Sequence, residues 1–221
     1  MARVIFWDVD TQYDFMHADG KLYVPDAERI IPNLKRLTDY AHAHGITVVA
    51  SADDHTPADT EISDHPDWTS TFPPHCMRGT PGQKKIPETA LRDALLLEPD
   101  PRNPKPLADQ VKKHQGDILF HKHQFDVFSN RNVDAVLGAL APDDIVLYGV
   151  ATDVCNKAAI EGLLEREVHT RLFAVTDAMK PIDHDTGEHL LKAWGEEGVR
   201  LVRTEEIVEG GLVDALARAS A

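Results

Sequence analysis

The sequence predicts an α/β protein: a three-layer, doubly wound sheet of six mostly parallel strands with helices on both faces. Three observations predict it. Short, uninterrupted apolar runs recur along the chain, as in strands buried on both faces. Helical patterns separate them, which is the crossover that parallel strands need. Polar and reactive residues gather just after the apolar runs, where sheets of this kind bind ligands. A length of 221 residues suits a single domain, 1–221, with a full core.

The elements follow in order. Val4-Ile5-Phe6-Trp7 reads as the first strand. From Asp26 to His44, the apolar residues Ile30, Leu34, Leu37 and Ala41 recur at helical spacing. Pro32 falls in the first regular turn and Gly45 closes the helix. Thr47–Ala50, Asp117–Phe120 and Ile145–Val150 are the next strands, and a helix follows from about Asp153 to Arg166. Leu172–Val175 and Val199–Val202 complete six, with a helix at about His184 to Glu197 between them and a short helix near Leu212 to Ala219. The stretch from Asp53 to Pro106 breaks the alternation. It is rich in Pro, Asp, His and Thr, and a helix is predicted in it near Glu88 to Leu97. A long irregular stretch inside a compact domain is usually functional.

Charge narrows the function. Lys and Arg number 23 against 37 Asp and Glu, a net of −14, which repels phosphate backbones and anionic lipid. Neither nucleic acid nor membrane is therefore expected as a partner. No apolar run approaches the roughly 20 residues of a membrane span. Asp8 and Asp10 interrupt the N-terminal run too early for a signal peptide. With only two cysteines, Cys76 and Cys155, the chain reads as a reduced, cytoplasmic protein. No Gly-x-Gly-x-x-Gly follows the first strand, which disfavours a dinucleotide-dependent dehydrogenase.

Four strand ends deliver chemistry to one edge of the sheet. The first gives Asp8 and Asp10; the second gives Asp53, Asp54 and His55, followed by Glu61, His75 and Cys76. The third gives His121, Lys122 and His123, and the fourth Asp153 and Cys155. Cys155 falls in the first turn of a helix, with Asp153 as the expected N-cap. Unpaired N–H groups there lower a thiol pKa and receive an oxyanion. On placement alone a buried structural cysteine is an equal reading. A thiol nucleophile needs a base, a role open to Asp10, and a cation that favours the thiolate, a role open to Lys122. Taken singly, Asp10 reads equally as a cap and Lys122 as a surface charge. Asp53-x-His55 has ligand spacing for a strand exit, and His75 with Glu61 would complete a mixed His and carboxylate set suited to zinc, iron or manganese. Asp8-x-Asp10 also suggests an aspartyl-nucleophile phosphatase, but Gln12 stands where that chemistry wants Thr or Val.

These residues resemble the cysteine hydrolases that include nicotinamidases and isochorismatases. Asp10-Thr11-Gln12-Tyr13-Asp14-Phe15 resembles the family's Asp-x-Gln-x-Asp-Phe opening, and Phe72–Gly82 its Trp-Pro-x-His-Cys-x-x-Gly-Thr-x-Gly segment. Lys122 with Phe125, Phe128 and Ser129 resembles the lysine segment, Gly149–Cys155 the nucleophile motif, and Val175–Ala178 a later strand end. The resemblance implies Cys155 as nucleophile, Asp10 as general base and then acid, and Lys122 as activator of the thiolate. It implies a cis peptide before Ala151, with the Ala151 and Cys155 N–H groups as the oxyanion site. Phe15, Phe72, Phe125 and Phe128 become walls of the substrate pocket. Asp53, His55, His75 and Glu61 become ligands of one divalent metal, zinc first, with His65 a rival to Glu61. A small amide substrate, nicotinamide first, and a homo-oligomer are implied as well. Another small amide, a ureido compound or an isochorismate-type ether is the runner-up. Asp54 departs from the pattern, since nicotinamidases usually carry an aromatic residue between the Asp and His ligands.

Overall fold

Val4-Ile5-Phe6-Trp7-Asp8-Val9 forms β1 (Val4–Val9), and all but its first residue are buried. Its side chains alternate between two apolar layers: Ile5, Trp7 and Val9 enter one, and Phe6 the other. That demand for cover on both faces sets the architecture. Six further strands complete the sheet: β2 (Val48–Asp53), β3 (Leu95–Leu97), β4 (Ile118–Lys122), β5 (Asp144–Val150), β6 (Arg171–Lys180) and β7 (Arg200–Val202). Their order is β3-β4-β2-β1-β5-β6-β7, and every pairing is parallel. This computed structural model describes residues 3–166 and 170–211.

The helices are α1 (Tyr13–Met16), α2 (Ile31–Ala43), α3 (Pro104–Lys113), α4 (Val133–Leu140), α5 (Cys155–Glu165), α6 (His184–Glu196) and α7 (Thr204–Val208). Leu107 and Val111 of α3, Val136 of α4, Ile160 and Leu163 of α5 and Trp194 of α6 pack on one face of the sheet. Met16 of α1, Leu34 and Leu37 of α2 and Ile207 of α7 cover the other.

Seven strands replace the predicted six. The helix predicted over Glu88 to Leu97 is a 3₁₀ turn at Pro87–Thr89 followed by β3. Helical propensity lost to pairing: the Asp117 carboxylate accepts from Arg92 N at 2.7 Å, and Leu95 N donates to Asp117 O at 2.8 Å. The segment is thereby laid along β4, and Leu97 is buried there. α3 and α4 are additional to the predicted helices. The short tail helix predicted near Leu212 to Ala219 lies outside the described residues.

The switch point lies at β1, which has β2 on one side and β5 on the other. The chain progresses outward in opposite directions from that point, so a crevice opens at the carboxyl ends of these strands. Gly149 makes the β1–β5 approach possible. Its φ is 121°, and a Cβ there would stand 2.1 Å from the carbonyl oxygen of Val9.

Candidate active site

Each of four neighbouring strands ends on a polar group. Asp10 follows β1, with φ 50°, and leaves the strand path there. Asp53 ends β2 and Lys122 ends β4, and the two are register partners. Cys155 opens α5 just after β5.

Lys122 is fully buried between two carboxylates: its Nζ is 2.9 Å from Asp10 Oδ2, and it donates to Asp53 Oδ1. Burial alone would lower its pKa, but Asp10 and Asp53 override that and hold the ammonium well above the ordinary lysine range. Asp53 is the mirror case. Burial would raise its carboxyl, yet Lys122 and the His55 and His75 rings hold it well below the carboxylate range. Ser51, two residues before Asp53, donates its hydroxyl to Asp10 Oδ1 at 2.7 Å. Gln12 clamps the Asp53 main chain at both ends, giving Nε2 to its carbonyl at 2.8 Å and taking its N–H at 2.7 Å.

Asp10, Asp53 and Lys122 all act on the buried Cys155 thiol. Burial pushes its thiol up, Lys122 opposes that, and the charges of Asp10 and Asp53 reinforce it. The buried thiol therefore rests protonated, with a carboxylate and an ammonium acting on it. Asp153 is not the helix cap. Its carboxylate instead accepts from Ile182 N and Asp183 N, both at 2.8 Å, and Val154 takes the N-cap position. The Val150–Ala151 peptide is cis. Val154 N and Asn156 N donate to Ala151 O, and the N–H groups of Ala151 and Cys155 have no acceptor among the described residues.

Beyond Asp53 lies a cluster of four buried side chains: Asp53, His55, Glu61 and His75 offer ligand atoms within 4.8 Å of one another. The donor set fits a divalent cation. Neither ring nitrogen of His55 has a hydrogen-bond partner, although the residue is fully buried. His55 Nε2 stands 3.7 Å from Asp53 Oδ2 and 3.9 Å from Glu61 Oε1, too far for hydrogen bonds. His75 gives its Nδ1–H to Pro73 O at 2.7 Å, which turns the Nε2 lone pair toward Asp53 Oδ2, 3.5 Å away. Glu61 Oε2 accepts from Phe125 N at 2.7 Å, leaving Oε1 for the cluster. Burial and the nearby Asp53 charge raise the Glu61 carboxyl, with Lys122 and His55 opposing them. His65 is exposed and outside this group, which contains Glu61.

Asp54, the departure from the family pattern, closes the ligand loop. Main-chain pairing lays the loop on His55, with Arg78 N donating to His55 O at 2.8 Å. Arg78 then bonds Asp54 through Nε at 2.8 Å and through Nη2, and Gln83 Nε2 also donates to that carboxylate. Asp14 holds the same loop from the other side, accepting Cys76 N at 2.7 Å, and Gly82 leaves the space its carboxylate fills. Cys76 is buried and free. Asp54→Ala is expected to weaken divalent-metal affinity about 10- to 100-fold, measured by competition with a chromophoric chelator. Unchanged affinity would show that the loop is held without it.

The cavity above Cys155 is lined by Phe15, Leu22, Val24, Phe72, Phe125 and Ile182, together with Asp53, Glu61 and His75. Phe128 is a correction. It packs on Trp7 at 6.5 Å and under Arg166, against Gly162 of α5, and it does not reach the cavity. Asp8 is another. It is sealed against Lys85 Nζ at 3.0 Å and the Thr11 hydroxyl at 3.1 Å, away from the crevice, which leaves a phosphatase nucleophile no access to substrate. The supports supplied by Ser51 and by the two ends of Gln12 differ in how far the sequence points to them. A serine inside an apolar strand carries no signal of its partner, whereas Gln12 stands two residues after Asp10 in a motif already singled out.

The doubly wound parallel sheet thus gathers an Asp, a Lys and a Cys at its switch point. The chain belongs to the isochorismatase family, whose domain matches residues 5–97 and 96–206, and it is a hydrolase of carbon–nitrogen amide bonds. It is 29% identical to the nicotinamidase/pyrazinamidase of Mycobacterium tuberculosis over 200 residues, 88% of this chain and 95% of that one. It is 28% identical to a ureidoacrylate amidohydrolase, RutB, of Agrobacterium fabrum, over 69% of this chain and 61% of that one. Among solved structures, a zinc-complexed pyrazinamidase of Pyrococcus horikoshii shares the fold at a TM-score of 0.71 and 20% identity, covering 91% of this chain and 99% of that one. Among the described residues no helix is long and apolar enough to cross a membrane.

Proposed function

We propose that the chain hydrolyses a small carboxamide to its acid and ammonia through a Cys155 thioester, with nicotinamide the first substrate to test. The observation that carries this reading is Lys122, buried between Asp10 and Asp53 and so shared by the thiol's base and the ligand cluster.

Asp10 takes the Cys155 proton, and the Lys122 ammonium stabilises the thiolate. Sγ attacks the carbonyl carbon, and the oxyanion is received by the Ala151 and Cys155 N–H groups. One such donor is typically worth roughly 3 to 4 kcal/mol in the transition state. Asp10 returns the proton to the nitrogen as the C–N bond breaks and ammonia leaves. The same carboxylate then takes a proton from water, whose oxygen attacks the thioester and frees the acid and Cys155. Asp53, His55, Glu61 and His75 would hold one divalent ion. Zinc suits the donors best, with iron and manganese also compatible, and when bound the ion supplies a Lewis acid beside the substrate. Phe15 and Phe72 flank His75, at ring distances of 5.5 and 6.3 Å, and give the ligand cluster aromatic walls.

Zinc-loaded protein is expected to release ammonia from nicotinamide. Release from ureido compounds but not from nicotinamide would move the assignment to the chemistry for which the RutB relative is named.

A further inference from the structure

The cavity above Cys155 is small, about 30 Å³, and a groove of about 610 Å³ lies beside it. Phe72, Phe125, Val154 and Ile182 line both, so the two spaces adjoin across that set of apolar side chains. A single water needs about 10–15 Å³ of such space, so the inner cavity takes a carboxamide head and little more. Whatever else the substrate carries must lie in the groove.

The groove's chemistry is mainly apolar, with one cation and two carboxylates in its lining. Trp68 and Ile182 are 64% and 48% exposed. They are two of the four large apolar side chains that stand exposed among the described residues, and both border this groove. Lys157 and Glu161, four residues apart on α5, bring one charge of each sign, and the Asp153 carboxylate is already occupied by two main-chain N–H groups. Nothing here selects an ionic group. Because the leaving group of a primary amide is ammonia, any extension belongs to the acyl side.

We infer that the substrate class is primary amides whose acyl part carries an uncharged apolar extension, seated between Trp68 and Ile182 and leading to Cys155. This rests on the amidohydrolase reading. The test measures ammonia release by zinc-loaded protein from nicotinamide, benzamide and 4-butylbenzamide, with Cys155→Ala as background. The butyl-substituted amide is expected to exceed benzamide in kcat/KM by about tenfold or more, mainly through a lower KM. Trp68→Ala and Ala158→Glu, which strip and charge the groove, are each expected to bring that ratio toward one. A ratio at or below one with nicotinamide or benzamide still turned over would overturn the inference and leave the amidohydrolase intact. If Trp68→Ala also converted an assembly to monomers, the groove would belong to a second copy of the chain, which overturns the inference too. No release from any of the three would overturn the inference together with its nicotinamide-like premise.

Discussion

Cys155→Ala is expected to reduce amide turnover to the uncatalysed background, a loss on the order of 10⁴-fold or more. The side chain is the only thiol lining the cavity, and its acid, base and oxyanion partners are already gathered around it. Removing Sγ leaves them no bond to make. Folding should survive, because the change deletes one atom beside an open cavity, a loss of about 1 kcal/mol. The measurement is ammonia release, with intact-mass detection of the acyl-enzyme as a second readout. An acyl adduct on the wild type and none on the variant places the bond at Cys155. Turnover retained by the variant would remove the thioester from the mechanism altogether.

The second large effect is on stability. Lys122→Met keeps most of the side-chain volume but leaves Asp10 and Asp53 facing each other, buried and without their cation. Removing one member of a buried ion pair typically costs about 3 to 5 kcal/mol, most of it the penalty of the charge left behind. Urea denaturation of the metal-free protein measures it, and a loss under about 1 kcal/mol would mean that the carboxylates find other partners. Combining Lys122→Met with Asp10→Asn should recover part of the loss, since the two sites share one interaction. The pH dependence follows from the directions of the shifts. Lys122 is held above its ordinary 10.5, so its contribution is fully present below that value and is lost as pH rises beyond it. Asp53 is held below its ordinary 3.8, so its contribution is present above that value and is lost as pH falls below it. In the variant a carboxylate relieves the repulsion by taking a proton, so the gap to wild type narrows toward acid.

Much of this site was legible because parallel strands impose a rule. Polar groups that follow buried strands must emerge at one edge, so chain order was enough to bring Asp10, Asp53, Lys122 and Cys155 together. Asp53-x-His55 was legible for a similar reason, since strand geometry points alternate residues the same way. Choosing between Glu61 and His65 was harder. Both lie in an irregular loop with no periodicity to orient them; in the fold the Phe125 N–H holds the Glu61 carboxylate near His55 while His65 stays exposed. Phe128 was misread for a related reason. A 3₁₀ turn at Val127–Ser129 directs it under α5, while Phe125, three residues earlier, lines the cavity.

Local period and chain order sufficed for the class of fold and for the strand ends that bring polar side chains to one edge, since each of these is a property of neighbours in the chain. Contacts between distant segments were needed to make Leu95–Leu97 an edge strand, to tie Asp153 to a loop instead of a helix cap, and to lock Arg78 and the loop of His75 on Asp54. Each depends on a partner far away in the chain (Asp117, Ile182 and Arg78 in turn), and pairings across such distances are set by which groups packing leaves without water.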